Sequence, residues 1–395
     1  MTYLSDLPTG AELLVIGGGV IGAATAFYAA RAGLKPVILE RRPALATLTT
    51  AAATGAFRLQ FDNEDEFRLV SESVEMFLNF SEATGQDRYD PQVRTQGYLW
   101  LTTSEDGIVR QRNAVERQRA WGLDDVDVLE GKEVRNRWPW ISEDVVQARF
   151  RAGDGFLDPK ELTLGFAAAS GARVAVGCEV TGFRVEGDRV SAVETSQGTI
   201  GCDAAVVAAG PFSGEVAALT GIELPIQTVT RHKIVMPAVA PVPQDAPMTI
   251  DDDTGSHWRP ALAGAYLLFT DPATPPTPPS EEIPPDQSLA FKLLRPGNPQ
   301  SVARIAPFWK DVWEQGTAHW YIQSGQYTMT PDHRPLIGHT MIDGLFLNTG
   351  YSGHGIMCSA AGSRLLLDAI VGQLPHKDNL FRPDRVFQER EHDVL

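Results

Sequence analysis

A glycine-rich turn between two apolar segments is the feature that most limits what this chain can fold into. A short apolar run enters the motif G-G-G-V-I-G at residues 17–22, an alanine-rich stretch follows, and a second apolar run ends at Glu40. Gly17 permits a tight turn, Gly19 lets a phosphate approach the backbone, and Gly22 lets the following helix pack closely on the strand. This order predicts a βαβ unit that binds a dinucleotide, with phosphates at the helix N-terminus and ribose hydroxyls on Glu40.

The composition is that of an ordinary globular protein with an acidic surface. The 395 residues suffice for two domains, and a formal charge of −16 argues against nucleic acid or an anionic membrane as partner. No apolar stretch approaches the roughly 18 residues of a membrane span, and residues 1–10 lack a basic signal-peptide region. The three cysteines, at positions 178, 202 and 358, have no spacing typical of disulfides or zinc sites. We therefore expect a cytoplasmic protein with buried thiols and no metal.

The helical signal is uneven along the chain. Apolar residues at helical spacing predict a helix over residues 63–83, and an Arg- and Gln-rich stretch predicts an exposed helix over 106–120. Seven prolines within residues 272–285 exclude a helix or a central strand there and predict a surface loop. From residue 228 onward, helical signal returns only after Ser352.

Two further motifs lie near the C-terminus. The segment T-P-D-H-R-P-L-I-G covers residues 330–338, and Asp332 and His333 are expected to fix its turn. A strand then leads into G-Y-S-G-H-G at 350–355, and the next helix carries small residues at 359–363. Small residues let the N-terminus of a helix approach a flat ring. The positive end of the helix dipole suits a flavin, whose reduced form is negatively charged.

With these motifs in place, the chain resembles a known family. The resemblance rests on residues 17–22, Glu40, A-A-G-P at 208–211, T-P-D at 330–332 and the glycine-rich segment 350–355. The family is that of the FAD-dependent amino-acid and amine oxidoreductases related to D-amino acid oxidase. Within it, the chain looks closest to the sarcosine oxidase and dimethylglycine dehydrogenase branch.

The resemblance implies an α/β fold with two parts. One is a Rossmann-type FAD-binding domain built from discontinuous segments, residues 1–85, 150–225 and 325–395. The other is an inserted α+β substrate domain with a mainly antiparallel sheet, residues 86–149 and 226–324.

The resemblance also implies which residues contact FAD. The strand near Val180 lies where the family's backbone meets the adenine, and the segment after Ser352 would line the pyrimidine edge of the flavin. The implied cofactor residues are Gly17, Gly19, Val20, Ile21, Gly22, Glu40, Arg41, Thr49, Thr50, Ala51, Gly55, Val180, Ala209, Gly210, Gly353, His354, Gly355, Ile356 and Met357.

The chain departs from the family at the positions used for covalent flavin attachment. Members with a covalent flavin carry a cysteine shortly before the Y-T-x-T-P-D segment, where this chain has Gly325. Others use a histidine after the second strand, and residues 47–54 contain none. We therefore expect non-covalent FAD.

A second departure concerns the substrate carboxylate. Monomeric sarcosine oxidases pair it with a lysine after the G-H-G motif, where this chain has Met357. They also use an arginine three residues beyond the one that resembles Arg58, and here that position is Phe61. The usual clamp is missing, so a substrate carboxylate is either bound elsewhere or absent.

Four residues are the catalytic-site candidates: His354, Arg58, Arg259 and Lys233, with His232 a further basic candidate. His354 is expected to contact the flavin rather than to act as acid or base. Arg58 is expected to contact the flavin or the substrate, with a salt bridge between domains as the alternative, and Arg259 is expected in the substrate pocket. Lys233 and His232 either hold the substrate or face solvent, and Lys233 is also a candidate for an oxygen-activating cation.

The expected reaction is oxidation of the C–N bond of a small amine or amino acid, secondary or N-methylated. Hydride transfer to flavin N5 would give an imine that hydrolyses, with oxygen or another carrier as electron acceptor. No acid or base is required if the amine binds neutral. Two alternatives stay open: oxidation of a 2-hydroxy acid or another alcohol on the same scaffold, and a flavin-containing assembly factor without turnover.

Overall fold

Two large β-sheets organise the molecule. Its computed structural model describes residues 1–316 and 319–388. Within these residues the first sheet has nine strands, and its central strands run parallel. In spatial order its main path is Thr2–Tyr3, Arg173–Val176, Pro36–Glu40, Gly10–Ile16, Gly198–Val207, Arg189–Thr195 and Val180–Glu186. Leu345–Thr349 also pairs in parallel with Gly198–Val207, and Leu336–His339 pairs antiparallel with Leu345–Thr349.

Both faces of the parallel strands are covered by other parts of the chain, which explains why those strands are apolar on both faces. Leu13 and Val15 pack in one core cluster, whereas Leu14 and Ile16 pack in another. The first cluster contains residues of four helices, Val20–Arg31, Glu64–Leu78, Pro159–Ala169 and Gly355–Ile370. On the other face, Val190, Val193 and Phe183 of the two antiparallel strands pack in the second cluster. Among the described helices, none has the length and apolarity needed to cross a membrane.

The second sheet has eight strands in the described parts of the chain and is mainly antiparallel. One neighbouring pair, Met248–Asp251 with Tyr98–Thr102, runs parallel. The order is Tyr321–Met329, Gln227–Met236, Gly264–Phe269, Ser256–Ala261, Met248–Asp251, Tyr98–Thr102, Gln147–Arg151 and Asp127–Glu130. The predicted α/β fold with a parallel sheet and a mainly antiparallel second sheet is confirmed.

Shorter elements complete the structure. A small sheet joins Ala56–Phe57 to Gly155–Phe156. The remaining α-helices are Thr49–Ala52, Phe80–Thr84, Glu105–Ala120, Gly131–Arg137, Ser213–Ala218, Ser288–Leu294 and Phe308–Gln315. Single 3₁₀ turns lie at Gly210–Phe212, Val302–Arg304 and His376–Asp378.

The expectation of no helix between residues 228 and 352 is wrong. Ser288–Leu294 and Phe308–Gln315 are helical, and they bury Leu293 and Trp309 against Trp258 of the second sheet. Helices this short are marginal on propensity alone, so tertiary burial stabilises them.

The sheets also bear on the domain boundaries. Gln147–Arg151 and Tyr321–Met329 both belong to the eight-stranded sheet, so boundaries at 150 and 325 cut through its strands. We propose instead that the substrate domain comprises residues 86–151 and 226–329.

The glycine turn brings three segments into close contact. Gly17 has φ +117°, and a Cβ atom there would overlap the carbonyl oxygen of Ala208 at the end of the neighbouring strand. A Cβ atom on Gly22 would overlap the carbonyl oxygen of Gly17 itself. The helix, the turn and the neighbouring strand end can therefore meet only where side chains are absent.

A buried ion pair ties the last described segment to the turn at Asp332. Arg385 donates to both carboxylate oxygens of Asp332 at 2.8 Å, and its remaining N–H groups reach carbonyl oxygens such as that of Pro335. Burial by itself would raise the pKa of Asp332, but the hydrogen bonds and charge of Arg385 bring that pKa below its ordinary value. Asp332 fixes the turn, as predicted, and does so through Arg385.

We expect Asp332→Ala to lower the free energy of unfolding by about 3–5 kcal/mol, because Arg385 would remain buried without its counter-ion. Chemical denaturation measures the change. Asp384→Ala is the control, since its carboxylate is 66% exposed, and it should cost less than about 1 kcal/mol. Equal losses in the two variants would contradict the assignment.

Gly17→Ala should destabilise the protein by at least about 3 kcal/mol, since overlap with Ala208 adds to the strain of positive φ. Gly33→Ala is the matched control: Gly33 has φ +86° but open space around it. It should lose only the roughly 1–2 kcal/mol of backbone strain. Denaturation curves of both variants test the difference, and similar losses would show that the overlap is unimportant.

Candidate functional site

A large cavity begins at the carboxyl ends of the parallel strands and extends to the second sheet. Its volume is about 1270 Å³, whereas sites for small molecules usually measure about 300–1,000 Å³. It therefore has room for a dinucleotide together with a small second molecule. Among the described residues, no group of three or more His, Cys, Asp or Glu side chains is placed to hold a metal ion.

The glycine turn forms one end of this cavity. The helix Val20–Arg31 starts here, and its N-cap is Gly19, which offers no side chain to the first N–H groups. The Glu40 carboxylate accepts the N–H of Gly18 at 2.7 Å and that of Arg42 at 2.8 Å. Burial raises the pKa of Glu40, although these two donors oppose the rise. The arrangement leaves backbone donors for phosphate and an acceptor nearby.

Most of the predicted cofactor residues line this one cavity. They are Gly17, Gly19, Val20, Ile21, Glu40, Arg41, Thr49, Thr50, Gly55, Val180, Ala209, Gly210, Gly353, His354, Gly355, Ile356 and Met357. Gly22 and Ala51 do not line it. For Gly22 the structure shows the close packing of helix on turn described above.

The other end of the cavity is shaped by glycines that face an aromatic ring and a short helix. Gly353 has φ +100°, and a Cβ atom there would lie 2.7 Å from the ring of Tyr327. A Cβ atom on Gly325 would lie 3.1 Å from that of Ala52, so a cysteine at this position would be crowded. The glycines and the dinucleotide end together fit an elongated flavin dinucleotide.

The wall beyond these glycines contains Arg58. This arginine is 4% exposed, and its Nε donates to the carbonyl oxygen of Gln60 at 3.3 Å. Its guanidinium lies 4.9 Å from the ring centroid of Phe61 and beside the phenol of Tyr98. No carboxylate of residues 1–316 or 319–388 forms an ion pair with Arg58. The cavity thus contains a buried cation available to an anionic ligand.

Lys233 and Arg231 add positive charge on a neighbouring strand. Lys233 donates to the carbonyl oxygen of Ala53 at 2.9 Å and lies 4.2 Å from the ring centroid of Tyr266. Burial, reinforced by the charge of Arg259, lowers the pKa of Lys233 to about 7. Arg231 lines the cavity too, and its buried Nε has no hydrogen-bond partner in the described chain.

His354 is held by a buried acid. Its Nδ1 lies 2.7 Å from Oε1 of Glu66, and the ring of Phe61 packs edge-on against it at 5.2 Å. Glu66 also accepts a hydrogen bond from Asn63 at 2.7 Å. Because the carboxylate fixes the orientation of the imidazole, His354 is a rigid part of the cavity wall at the start of the helix Gly355–Ile370.

Arg259 lies outside the lining of the cavity. Its Nε donates to the carbonyl oxygen of Thr54 at 2.9 Å, and its guanidinium lies between the rings of Phe156 and Tyr266. Burial lowers its pKa to about 10. In this structure Arg259 supports the segment next to Gly55.

The wall residues that the sequence reasoning missed include Tyr98, Arg231 and His257. The alternation of side chains along a strand could have indicated two of these residues, Arg231 and His257. Residues i and i+2 of a strand share a face, so Lys233 implies Arg231, and Arg259 implies His257. Their strands could be recognised in the sequence, but which face borders the cavity could not.

The proline-rich loop closes one side of the cavity. Residues 272–285 form no helix or strand, and Thr274 and Pro276 line the cavity. Within the loop, Glu281 pairs with both Arg41, at 2.7 Å, and Arg42. The loop predicted to lie on the surface therefore also connects the second sheet to the dinucleotide end.

The lowered pKa of Lys233 predicts a pH dependence of stability. Between about pH 7 and pH 10.5 the unfolded chain keeps a proton on this lysine that the folded protein has lost. Unfolding free energy should therefore rise with pH across this window, by up to about 1.4 kcal/mol per pH unit. Urea denaturation at several pH values, at fixed FAD concentration, measures the slope. Lys233→Met should reduce it and exposed Lys132→Met should not; an unchanged slope in Lys233→Met would refute the assignment.

Curated relatives match almost the whole chain. An FAD-dependent oxidoreductase domain-containing protein 1 from Xenopus laevis is 26% identical over 418 residues, covering 94% of this chain and 81% of the relative. A D-amino acid dehydrogenase from Cereibacter sphaeroides is 27% identical, with 92% of both chains covered. Mouse mitochondrial sarcosine dehydrogenase is 26% identical over 94% of this chain, which matches only 41% of that longer protein.

Solved structures share the fold. L-proline dehydrogenase from P. horikoshii superposes with a TM-score of 0.81 at 23% identity, covering 95% of this chain and 98% of the other. Glycine oxidase from Bacillus cereus gives 0.81 at 24% identity, covering 96% and 100%. The family model described as DAO, FAD dependent oxidoreductase, matches residues 12–369. The chain therefore belongs to the DAO family of FAD-dependent oxidoreductases, as its motifs predicted, and FAD is its cofactor.

Proposed function

We propose that this enzyme oxidises the C–N bond of a small amine or amino acid, with secondary or N-methylated amino acids as the favoured class. The observation that carries the proposal is Arg58, a buried cation without a carboxylate partner in the described chain, in the wall of a cavity that continues beyond the flavin-binding residues. A substrate carboxylate would satisfy it. Relatives named sarcosine dehydrogenase, dimethylglycine dehydrogenase and D-amino acid dehydrogenase support this class.

FAD is proposed to bind without a covalent link, through the predicted cofactor residues that line the cavity. The turn at Gly17 and Gly19 would hold the pyrophosphate, Glu40 the ribose, and the segment Gly353 to Met357 the flavin edge. When bound, FAD supplies the two-electron acceptor, which takes a hydride equivalent at N5 from the carbon next to nitrogen and leaves an imine that water hydrolyses.

The side chains of the wall would bind and orient the substrate. Arg58 would hold the carboxylate, and this contact fixes where the C–N bond lies. Met248, Ile250 and Leu268 line the same cavity and exclude water from a neutral amine. The charge of Arg231, together with that of Lys233 below its pKa of about 7, favours a ligand that gains negative charge during reduction. Lys233 is also the proposed cation for an electron acceptor such as oxygen.

Oxidation of a 2-hydroxy acid is less well supported. That reaction needs a base to take the hydroxyl proton, with a pKa near the working pH. Burial lowers the pKa of His257 to about 4, which makes this wall residue a weak base at neutral pH. Lys233, whose pKa is lowered to about 7, is the wall residue that such a reaction would have to use, and the relatives named above are described as amino-acid or amine dehydrogenases. A flavin without turnover is disfavoured as well, because the cavity extends past the flavin-binding residues to Tyr98 and His257.

The test is an anaerobic absorbance scan of the purified yellow protein against amines, N-methyl amino acids, D- and L-amino acids and 2-hydroxy acids. We expect at least one amine or amino acid to bleach the flavin, and 2-hydroxy acids to leave it oxidised. The rate of recolouring in air then separates an oxidase from a dehydrogenase. If only hydroxy acids bleach it, or nothing does, the proposal fails.

A further inference from the structure

His257 is a buried imidazole in the cavity wall that the proposed oxidation does not yet use. It is 4% exposed and belongs to the strand Ser256–Ala261. Its cross-strand neighbours are Ile250 on one side and Leu268 on the other, and both line the same cavity. The ring therefore stands as a polar group within an otherwise apolar stretch of wall.

The hydrogen bond of His257 fixes its tautomer. Nδ1 lies 2.8 Å from the carbonyl oxygen of Gly255, and a carbonyl oxygen can only accept, so Nδ1 carries the proton. Burial lowers the pKa of this imidazole to about 4, so the ring is neutral at pH 7. In a neutral imidazole whose Nδ1 is protonated, Nε2 has a lone pair and accepts. Nothing in residues 1–316 or 319–388 donates to Nε2.

Arg58 is close enough to His257 for its charge to depress the histidine's pKa further. The two groups are opposite in kind, since Arg58 only donates and neutral His257 offers one acceptor. A ligand that satisfies both presents an anionic group to Arg58 and an N–H to His257. A neutral primary or secondary α-amino acid has this pattern, whereas a neutral tertiary amine has no N–H to donate.

We propose that His257 is a specificity-determining residue, which accepts the N–H of a primary or secondary α-amino acid whose carboxylate is bound by Arg58. This rests on the proposed function and narrows it, because tertiary amino acids such as N,N-dimethyl compounds lose one of the two contacts. His257 acts here as an acceptor and not as a base, so it holds the nitrogen without removing its proton.

The test uses two dead-end ligands, pyrrole-2-carboxylate and furan-2-carboxylate, which differ in having N–H or oxygen in the ring. Binding to the oxidised FAD enzyme is followed by the change in flavin absorbance, so turnover is not needed. Wild type should bind the pyrrole about 5- to 10-fold more tightly, as expected for one hydrogen bond. In His257→Phe the two dissociation constants should become equal, and Arg58→Met should weaken both ligands.

Two further variants separate the contact from a general disturbance of the wall. His257→Gln keeps an acceptor oxygen and should restore part of the preference. His232→Phe removes another imidazole of the cavity, one that is already bonded to Ser324 at 2.7 Å, and should keep the pyrrole-to-furan ratio. Equal binding of the two ligands to wild type, binding of neither, or a preference that survives in His257→Phe would overturn the proposal.

Turnover then distinguishes this inference from the proposed function. A pyrrole preference that depends on His257, in a protein that no amine or amino acid bleaches, would refute the oxidation but support the binding assignment. Bleaching by amino acids without any pyrrole preference would support the oxidation and refute the role of His257. Among bleaching substrates, a secondary amino acid should have a higher kcat/KM than its N-methylated tertiary counterpart, and His257→Phe should narrow the difference.

Discussion

The approach of the glycine turn to the next strand is the contact on which the rest of the structure depends. Gly17 meets the carbonyl group of Ala208, and Gly22 meets that of Gly17, with no room for a Cβ atom at either place. This closeness aligns the N-terminus of the helix Val20–Arg31 with the carboxyl ends of the parallel strands. The cavity starts at this point and continues from here to the second sheet.

The sequence was sufficient to predict the parts of the fold that local chemistry determines. The turn, Glu40 and the helix after Ser352 follow from motifs, whereas the antiparallel second sheet was expected only from the family resemblance. The helices Ser288–Leu294 and Phe308–Gln315 could not be predicted, because burial against Trp258 rather than local propensity stabilises them. Their existence depends on residues that are distant in the sequence.

The candidate site was predictable at its cofactor end and only in part at its substrate end. Glycines repeat in a recognisable order, so most of the residues predicted to bind the dinucleotide could be placed in one cavity in advance. The substrate wall depends on which strand face meets the cavity and on where a long side chain turns. Arg259 bends to Thr54, whereas His257, two residues earlier, stays at the wall. Tertiary packing determines which of these two side chains borders the cavity.

Cationic side chains are concentrated at the cavity, although the chain as a whole is acidic. The formal charge is −16, yet Arg58, Arg231 and Lys233 border the cavity on the side of the second sheet. Glu66 is paired with His354, and Glu281 with Arg41 and Arg42. An anionic molecule is therefore repelled by the overall charge but attracted once it is within a Debye length of the cavity, roughly 8–10 Å.

The ion pair between Asp332 and Arg385 has a consequence for the order in which the protein is made. Residues 10–16 pair with the strand at 198–207, which in turn pairs with 345–349, and the turn at Asp332 is completed by its ion pair with Arg385. A nascent chain therefore lacks a finished flavin end until residue 385 has left the ribosome. FAD taken up earlier would meet the glycine turn and the residues up to Gly210 without the finished C-terminal wall, so stable cofactor loading should be a late, largely post-translational event.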